Sequence, residues 1–273
     1  IIEEGLSYGI YTQTVEPGAR PIIIHPDGDL TINYLDTKGL PLTPDHLSAA
    51  TALVARMIGT SAQEDKQMLR QAQIAKYVNL LYEDSFQDWQ KKRHDQLLDI
   101  ARHALALQKF RAERMPPGAT SPETFADFRD QTASGPNGGN SGQTSSHTAI
   151  AFNEWGRDYL AQFDEATVLK FLKEPKTSRE VRNLAFAYFT PEEFPTHPML
   201  QELMMLDPVG SERDQIMEIA TLILPWCRDG NYGCLFDGTS NLSLTGKIAH
   251  FELGYIPESA KELKAAARFL ITN

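Results

Sequence analysis

The feature that most limits how this chain can fold is where its strand-like segments lie. They cluster near the two ends, and the long stretch 44–224 between them carries helical periodicity. Neither cluster has enough strands to form a sheet alone, so the ends are expected to meet in one sheet. The expected fold class is α/β: a partial, largely parallel sheet interrupted by a large all-α insertion. Residues 1–43 form the first part of the sheet, 44–224 the helical insertion, and 225–273 the return to the sheet with a closing helix. No repeat of fixed period is present.

The first end opens on an apolar pair, Ile1-Ile2, and runs into Glu3-Glu4-Gly5. An apolar run stopping at acid and glycine reads as a buried parallel strand emerging at a sheet's carboxyl edge. Ligands bind at that edge in open α/β sheets. A chain that begins in mid-strand is expected to be a piece of something longer. A second run, Pro21–His25, and a third, Leu30–Asn33, are separated by the turn Pro26-Asp27-Gly28-Asp29. Together they predict a strand–helix–strand unit followed by a hairpin arm.

The middle is read from its apolar stripes and breakers. Thr43-Pro44-Asp45 supplies a cap with proline at the first helical position, and Leu47, Ala50, Leu53, Val54 and Met57 continue a helix to Gly59. A second helix is expected from Gln63 to Tyr82 and a third from Trp89 to Arg114, which Pro116-Pro117 ends. A short helix is expected over 121–132. The stretch 132–148 has no Leu, Ile, Val or aromatic residue and is expected to be a mobile surface loop. Its glycines do not make a phosphate cradle, because no Lys-Ser or Lys-Thr follows them. Further helices are expected over Asp164–Lys173, Ser178–Phe189, Met199–Leu206, Ile216–Leu224 and Glu258–Thr272. Thr190-Pro191-Glu192-Glu193 reads as a capping box opening a brief helix. Leu235–Gly238 and Lys247–Leu253 read as the returning strands.

Composition narrows the function classes. A net charge of −10 argues against a generic nucleic-acid surface and leaves room only for a local basic patch. No apolar run approaches the ~20 residues that cross a bilayer. The two cysteines, Cys227 and Cys234, point to a reducing compartment and buried thiols, and their spacing assigns no metal site. The basic run Lys91-Lys92-Arg93-His94 sits among acids and reads as a solvated helix face.

Among candidate catalytic groups, Glu3 and Glu4 stand first. A carboxylate at a strand's carboxyl end can orient water or support a metal-bound phosphate. The same acids could equally cap a helix over Leu6–Tyr11, where negative charge suits the dipole. Arg179 and Arg182, one turn apart near a helix start, could reach a neighbouring subunit's phosphates or could simply be surface charge.

The run Ile-Ile-Glu-Glu-Gly-Leu-Ser-Tyr (1–8), then Pro-Ile-Ile-Ile-His-Pro-Asp-Gly-Asp-Leu-Thr-Ile-Asn-Tyr-Leu (21–35), resembles the segment after the P-loop helix in conjugal-transfer ATPases of type IV secretion systems (TraC/TrbE-like). Pro195–Leu200 is similar to a helix entry in that family's insertion. Tyr232–Gly238 and Phe251-Glu252-Leu253 are similar to its return to the sheet. Two positions depart from the pattern: Tyr34 follows Asn33 where proline is usual, and Glu3 stands where aspartate is commoner.

The resemblance implies a RecA-like P-loop NTPase sheet and a hexamer working with other type IV secretion components. It also implies a cytoplasmic place at the bacterial inner membrane, with direct nucleic-acid contact left open. ATP and Mg²⁺ would be the parent's cofactors, and Gly5 and Ser7 become candidate nucleotide-binding residues. No Gly-x-x-x-x-Gly-Lys-Ser/Thr occurs in the 273 residues, nor an apolar strand ending in Asp-Glu. The expected function is thus the middle of such a motor, between Walker A and Walker B, inactive toward ATP alone. The competing expectation is a non-enzymatic helical interaction module.

Overall fold

A computed structural model describes residues 1–5, 7–59, 61, 63–114, 163–206, 212–227, 230–242 and 248–272. The expected helix over 121–132 and the loop 132–148 lie outside these residues.

The two ends of the chain do join. Strands β1 (Ile2–Glu3), β2 (Ile22–Ile23) and β3 (Phe251–Glu252) form a parallel sheet of order β1-β3-β2. Ile2 and Ile22 both register with Phe251, and Glu3 and Ile23 with Glu252. The last strand is therefore the central one. Its N–H groups at Phe251 and Leu253 donate to Ile1 and Glu3 carbonyls at 2.8 and 2.9 Å, and its carbonyls at His250 and Glu252 accept from Ile22 and Ile24 at 2.7 and 3.0 Å. Helix α1 (Gly9–Val15) links β1 to β2, completing the expected strand–helix–strand unit.

Two segments expected as strands are something else. Leu30–Asn33 is not the arm of a hairpin. Groups in 235–241 claim its backbone donors: Thr31 N–H donates to Asn241 Oδ1 at 2.9 Å, Ile32 N–H to the Leu235 carbonyl at 2.8 Å, and Asn33 N–H to Ser240 Oγ at 2.8 Å. Paired with those partners, the segment has no need of a ladder. Leu235-Phe236 lies in a one-turn helix, Gly233–Phe236, closed by Asp237 N–H on the Gly233 carbonyl at 2.8 Å. The turn buries Phe236 against Trp226, with ring centroids 5.5 Å apart.

Helix α2 (Pro44–Met57) follows its sequence signals closely. The Thr43 hydroxyl accepts the His46 N–H, Pro44 occupies the first turn, and Leu53 and Val54 are fully buried. Gly59, at φ +75°, takes the left-handed conformation that ends the helix region. Helix α3 (Glu64–Lys92) runs past Tyr82, where a stop was expected. Residues 83–88 contain neither glycine nor proline, so nothing breaks the ladder. Helix α4 (His94–Arg114) begins almost at once. Among the described residues the further helices are α5 (Glu165–Leu172), α6 (Pro175–Ala185), α7 (His197–Leu206), α8 (Arg213–Ile223), α9 (Gly233–Phe236) and α10 (Lys261–Thr272). Half of the expected Thr190 capping box forms: Thr190 N–H donates to Glu193 Oε2 at 2.8 Å, while Glu193 N–H goes to the Thr190 backbone carbonyl at 2.9 Å, and the pair closes only a turn before Pro195.

By compactness the chain divides into two units, and the boundaries differ from the linear division at 43 and 224. The first comprises Ile1–Lys38, Thr43–Ser85 and Phe189–Asn273, so much of the helical stretch belongs with the sheet. In it α10 packs on α2 and α8 packs on α7 and α2, around Trp226, Phe236, Leu53 and Leu200. The second comprises Gly39–Leu42 and Phe86–Tyr188. In it α4 packs on α5 and α6, and Phe86 stacks on Trp89 at 6.3 Å between centroids. Among the described residues no helix is long and apolar enough to cross a membrane.

Candidate functional site

The period of two along β3 sorts its neighbours onto the sheet's two faces. Ala249 and Phe251 line a cavity of about 430 Å³ with Leu53 of α2 and Phe269 of α10. Its walls are mostly apolar, and Asp36, Lys38 and His46 supply a polar margin. The Asp36 carboxylate is already held by the Lys38 N–H at 2.7 Å and the Lys38 ammonium at 2.8 Å.

His250 and Glu252 lie on the opposite face, under α1, and both are buried. Thr12 of α1 places its hydroxyl 3.0 Å from His250 Nδ1. Glu252 registers with Glu3, so two carboxylates sit side by side at the carboxyl edge, with His250 one step back along β3. Glu3 Oε1 lies 2.6 Å from His250 Nε2. Despite that distance, Nε2 makes no hydrogen bond of acceptable geometry. Both Glu3 oxygens accept the Tyr8 N–H at 3.0 Å, fixing the carboxylate at the entry to α1.

Glu252 is fully buried, where an uncompensated carboxylate would cost several kcal/mol, of order 1–3 for each unmet hydrogen bond alone. Gly5 N–H donates to its two oxygens at 2.9 and 3.1 Å, and Gly254 N–H donates to Oε1. Both glycines are required by this arrangement. Gly5 stands at φ +117°, which an L side chain rarely adopts, and a Cβ on Gly254 would lie 2.6 Å from Glu252 Oε1.

The sequence candidates therefore fare differently. Glu3 is at the site, with a side chain only 7% exposed. Glu4 points elsewhere: it pairs with Lys264 at 3.1 Å and with Arg268, tying β1 to α10. The Lys264 hydrogen bond, foremost among these contacts, holds the Glu4 carboxyl below the usual carboxylate range. Gly5 is at the site, but its N–H already serves a carboxylate and is not a free phosphate donor. Ser7 is an exposed turn residue. Arg179 is exposed on α6 and Arg182 is half-buried there, both in the second compact unit. Cys227 is a buried thiol pushed up to about 11 by burial, unsuited to nucleophilic work.

These residues do not fit a triphosphate by themselves. Two neighbouring carboxylates repel phosphate, and the Gly5 and Gly254 donors are spent on one of them. The same cluster does offer one imidazole nitrogen and two carboxylates whose ligand atoms all lie within 4.8 Å of one another. The sequence reading assigned no metal here, because Glu3 and His250 stand at opposite ends of the chain. The signal available was the alternation His250-Phe251-Glu252-Leu253, which puts two polar side chains on one face of a buried strand.

Comparison with family models, with curated proteins and with solved structures returns no match.

Proposed function

We propose that the chain is the stretch of a hexameric, RecA-like ATPase motor that lies between its P-loop and its Walker B strand. The motor would power conjugative transfer of DNA or protein through a type IV secretion system. The observation that supports this most is β3 returning from the far end of the chain to pair in parallel between β1 and β2. A nucleotide-binding sheet with helices spliced into it needs such a return, and Glu3 then stands at its ligand-binding edge. The sequence resemblance in 1–35 and 232–253 supplies the rest. In this reading ATP and Mg²⁺ are held by residues outside the chain, and Glu3 orients the attacking water or a metal-bound water. Arg179 and Arg182 are the candidates for reaching a neighbour's phosphates. The assembly works at the cytoplasmic face of the inner membrane with other secretion components.

The test begins with the coding sequence upstream of residue 1, which should hold Gly-x-x-x-x-Gly-Lys-Ser/Thr within about thirty codons, the size of one strand–helix unit. Protein extended to include it, and downstream through Walker B, should hydrolyse ATP as a hexamer. The 273 residues alone should give no turnover above a blank. Stoichiometric turnover by the chain alone, or an upstream region with no P-loop, would sink the proposal.

A further inference from the structure

We propose that Glu3, His250 and Glu252 form a binding site for one divalent transition-metal ion of the zinc or manganese class. The inference does not rest on the motor reading, since it concerns only side chains of this chain.

The hydrogen-bond pattern around His250 is the first argument. Its Nδ1 lies 3.0 Å from the Thr12 hydroxyl, which itself lies 3.0 Å from the Tyr8 carbonyl. A hydroxyl has one proton. If that proton goes to the carbonyl, Nδ1 carries a hydrogen and donates it to Thr12 Oγ1, so both contacts are satisfied. The imidazole then presents a bare Nε2 lone pair to the carboxylates. This is how a metal-ligating histidine is usually held, one nitrogen fixed by an outer partner and the other free to coordinate.

The surroundings of Nε2, on the tautomer just derived, add to this. Nε2 is fully enclosed, on a residue only 1% exposed, and has no hydrogen-bond partner, yet it lies 2.6 Å from Glu3 Oε1. A lone pair that close to a carboxylate oxygen is repulsive unless a positive charge lies between or beside them. Two carboxylates and one imidazole nitrogen, with ligand atoms all within 4.8 Å of one another, are a donor set that a divalent ion takes up. Ligand atoms around one ion lie about 3–4 Å apart, so the observed spread closes with small side-chain rotations.

The ligand set narrows the ion. A nitrogen donor disfavours Mg²⁺ and Ca²⁺, which prefer all-oxygen shells, while one imidazole and two carboxylates suit Zn²⁺, Mn²⁺ or Co²⁺. Three protein ligands leave a coordination position for water or substrate.

The experiment titrates the metal-stripped 273-residue chain with Zn²⁺, Mn²⁺ and Co²⁺ by calorimetry. Thermal melting and the visible absorption of bound Co²⁺ provide parallel readouts. The expected result is one ion per chain, a rise in Tm with metal, and a Co²⁺ spectrum showing nitrogen ligation. Glu3→Gln keeps an oxygen to accept the Tyr8 N–H but removes a charge. It should weaken binding by at least the roughly 100-fold that marks loss beyond an outer partner. His250→Gln should abolish the nitrogen signature. If that variant does not fold, Glu3→Gln and Glu252→Gln carry the test. A folded wild-type chain that takes up none of the three ions overturns the proposal, in favour of a proton shared between His250 and Glu3. Equal affinity in wild type and Glu3→Gln overturns it too, since the ion then sits elsewhere.

Discussion

His197 shows how far one buried side chain can set the pH response. It is completely enclosed, with Nδ1 2.8 Å from the Tyr34 hydroxyl, and burial lowers its pKa to about 4. The unfolded value is 6.5, so the unfolded chain takes up the proton first. Stability from the neutral ring is full above pH 6.5 and drains away as pH falls toward 4. His46, also pushed down by burial, acts in the same direction. Between pH 7 and about pH 5, chemical denaturation should report a loss of about 2 kcal/mol from His197, and a His197→Gln variant should lose correspondingly less over that window. An unchanged slope in the variant would show that the ring is not the group responsible. The place of Glu3 at a strand edge was legible, because an acid ending an apolar run marks one. Glu252 and His250 were not, because their meaning comes from a neighbour that no local pattern names.

At the level of elements, capping and breaking signals located helices well. The α2 start is set by the Thr43 hydroxyl on the His46 N–H at 3.1 Å, with Pro44 in the first turn. Replacing Thr43 with Ala should lower unfolding free energy by about 1 kcal/mol in a denaturant titration, with little change in the m-value. A negligible loss would mean that packing of Leu53 and Val54 alone holds the helix in place. The signals failed where local structure depends on distant partners. Leu30–Asn33 has strand-like composition, yet its donors go to Leu235, Ser240 and Asn241. The Glu193 carboxylate caps Thr190 as its spacing predicts, yet prolines 195 and 198 leave no room for a helix to continue there. Separate helices were expected to end at Tyr82 and start at Trp89, but without glycine or proline between them the ladder simply carried on.

For the molecule as a whole, the sheet depends on the chain's far end, because β3 is its central strand. Leu253→Pro removes the N–H that donates to the Glu3 carbonyl at 2.9 Å. The expected cost is about 1–3 kcal/mol for the lost bond and its orphaned acceptor. Native-state hydrogen exchange should then quicken together at Ile22, Ile24 and Phe251, whose amides bond across β3 on both sides. Protection persisting at Ile22 and Ile24 would show that β2 is held without β3. The sequence by itself determined most of the long helices, the α2 cap and stop, and the confinement of strands to the two ends. Those depend on periodicity and on residues a few positions apart, where chain geometry alone sets the contacts. Only the tertiary structure decided that β3 lies between β1 and β2, that Glu4 is spent on Lys264 and Arg268, and that Glu3 meets His250 and Glu252. Such encounters are set by how helices and strands pack across more than two hundred residues of chain, and no local spacing encodes them.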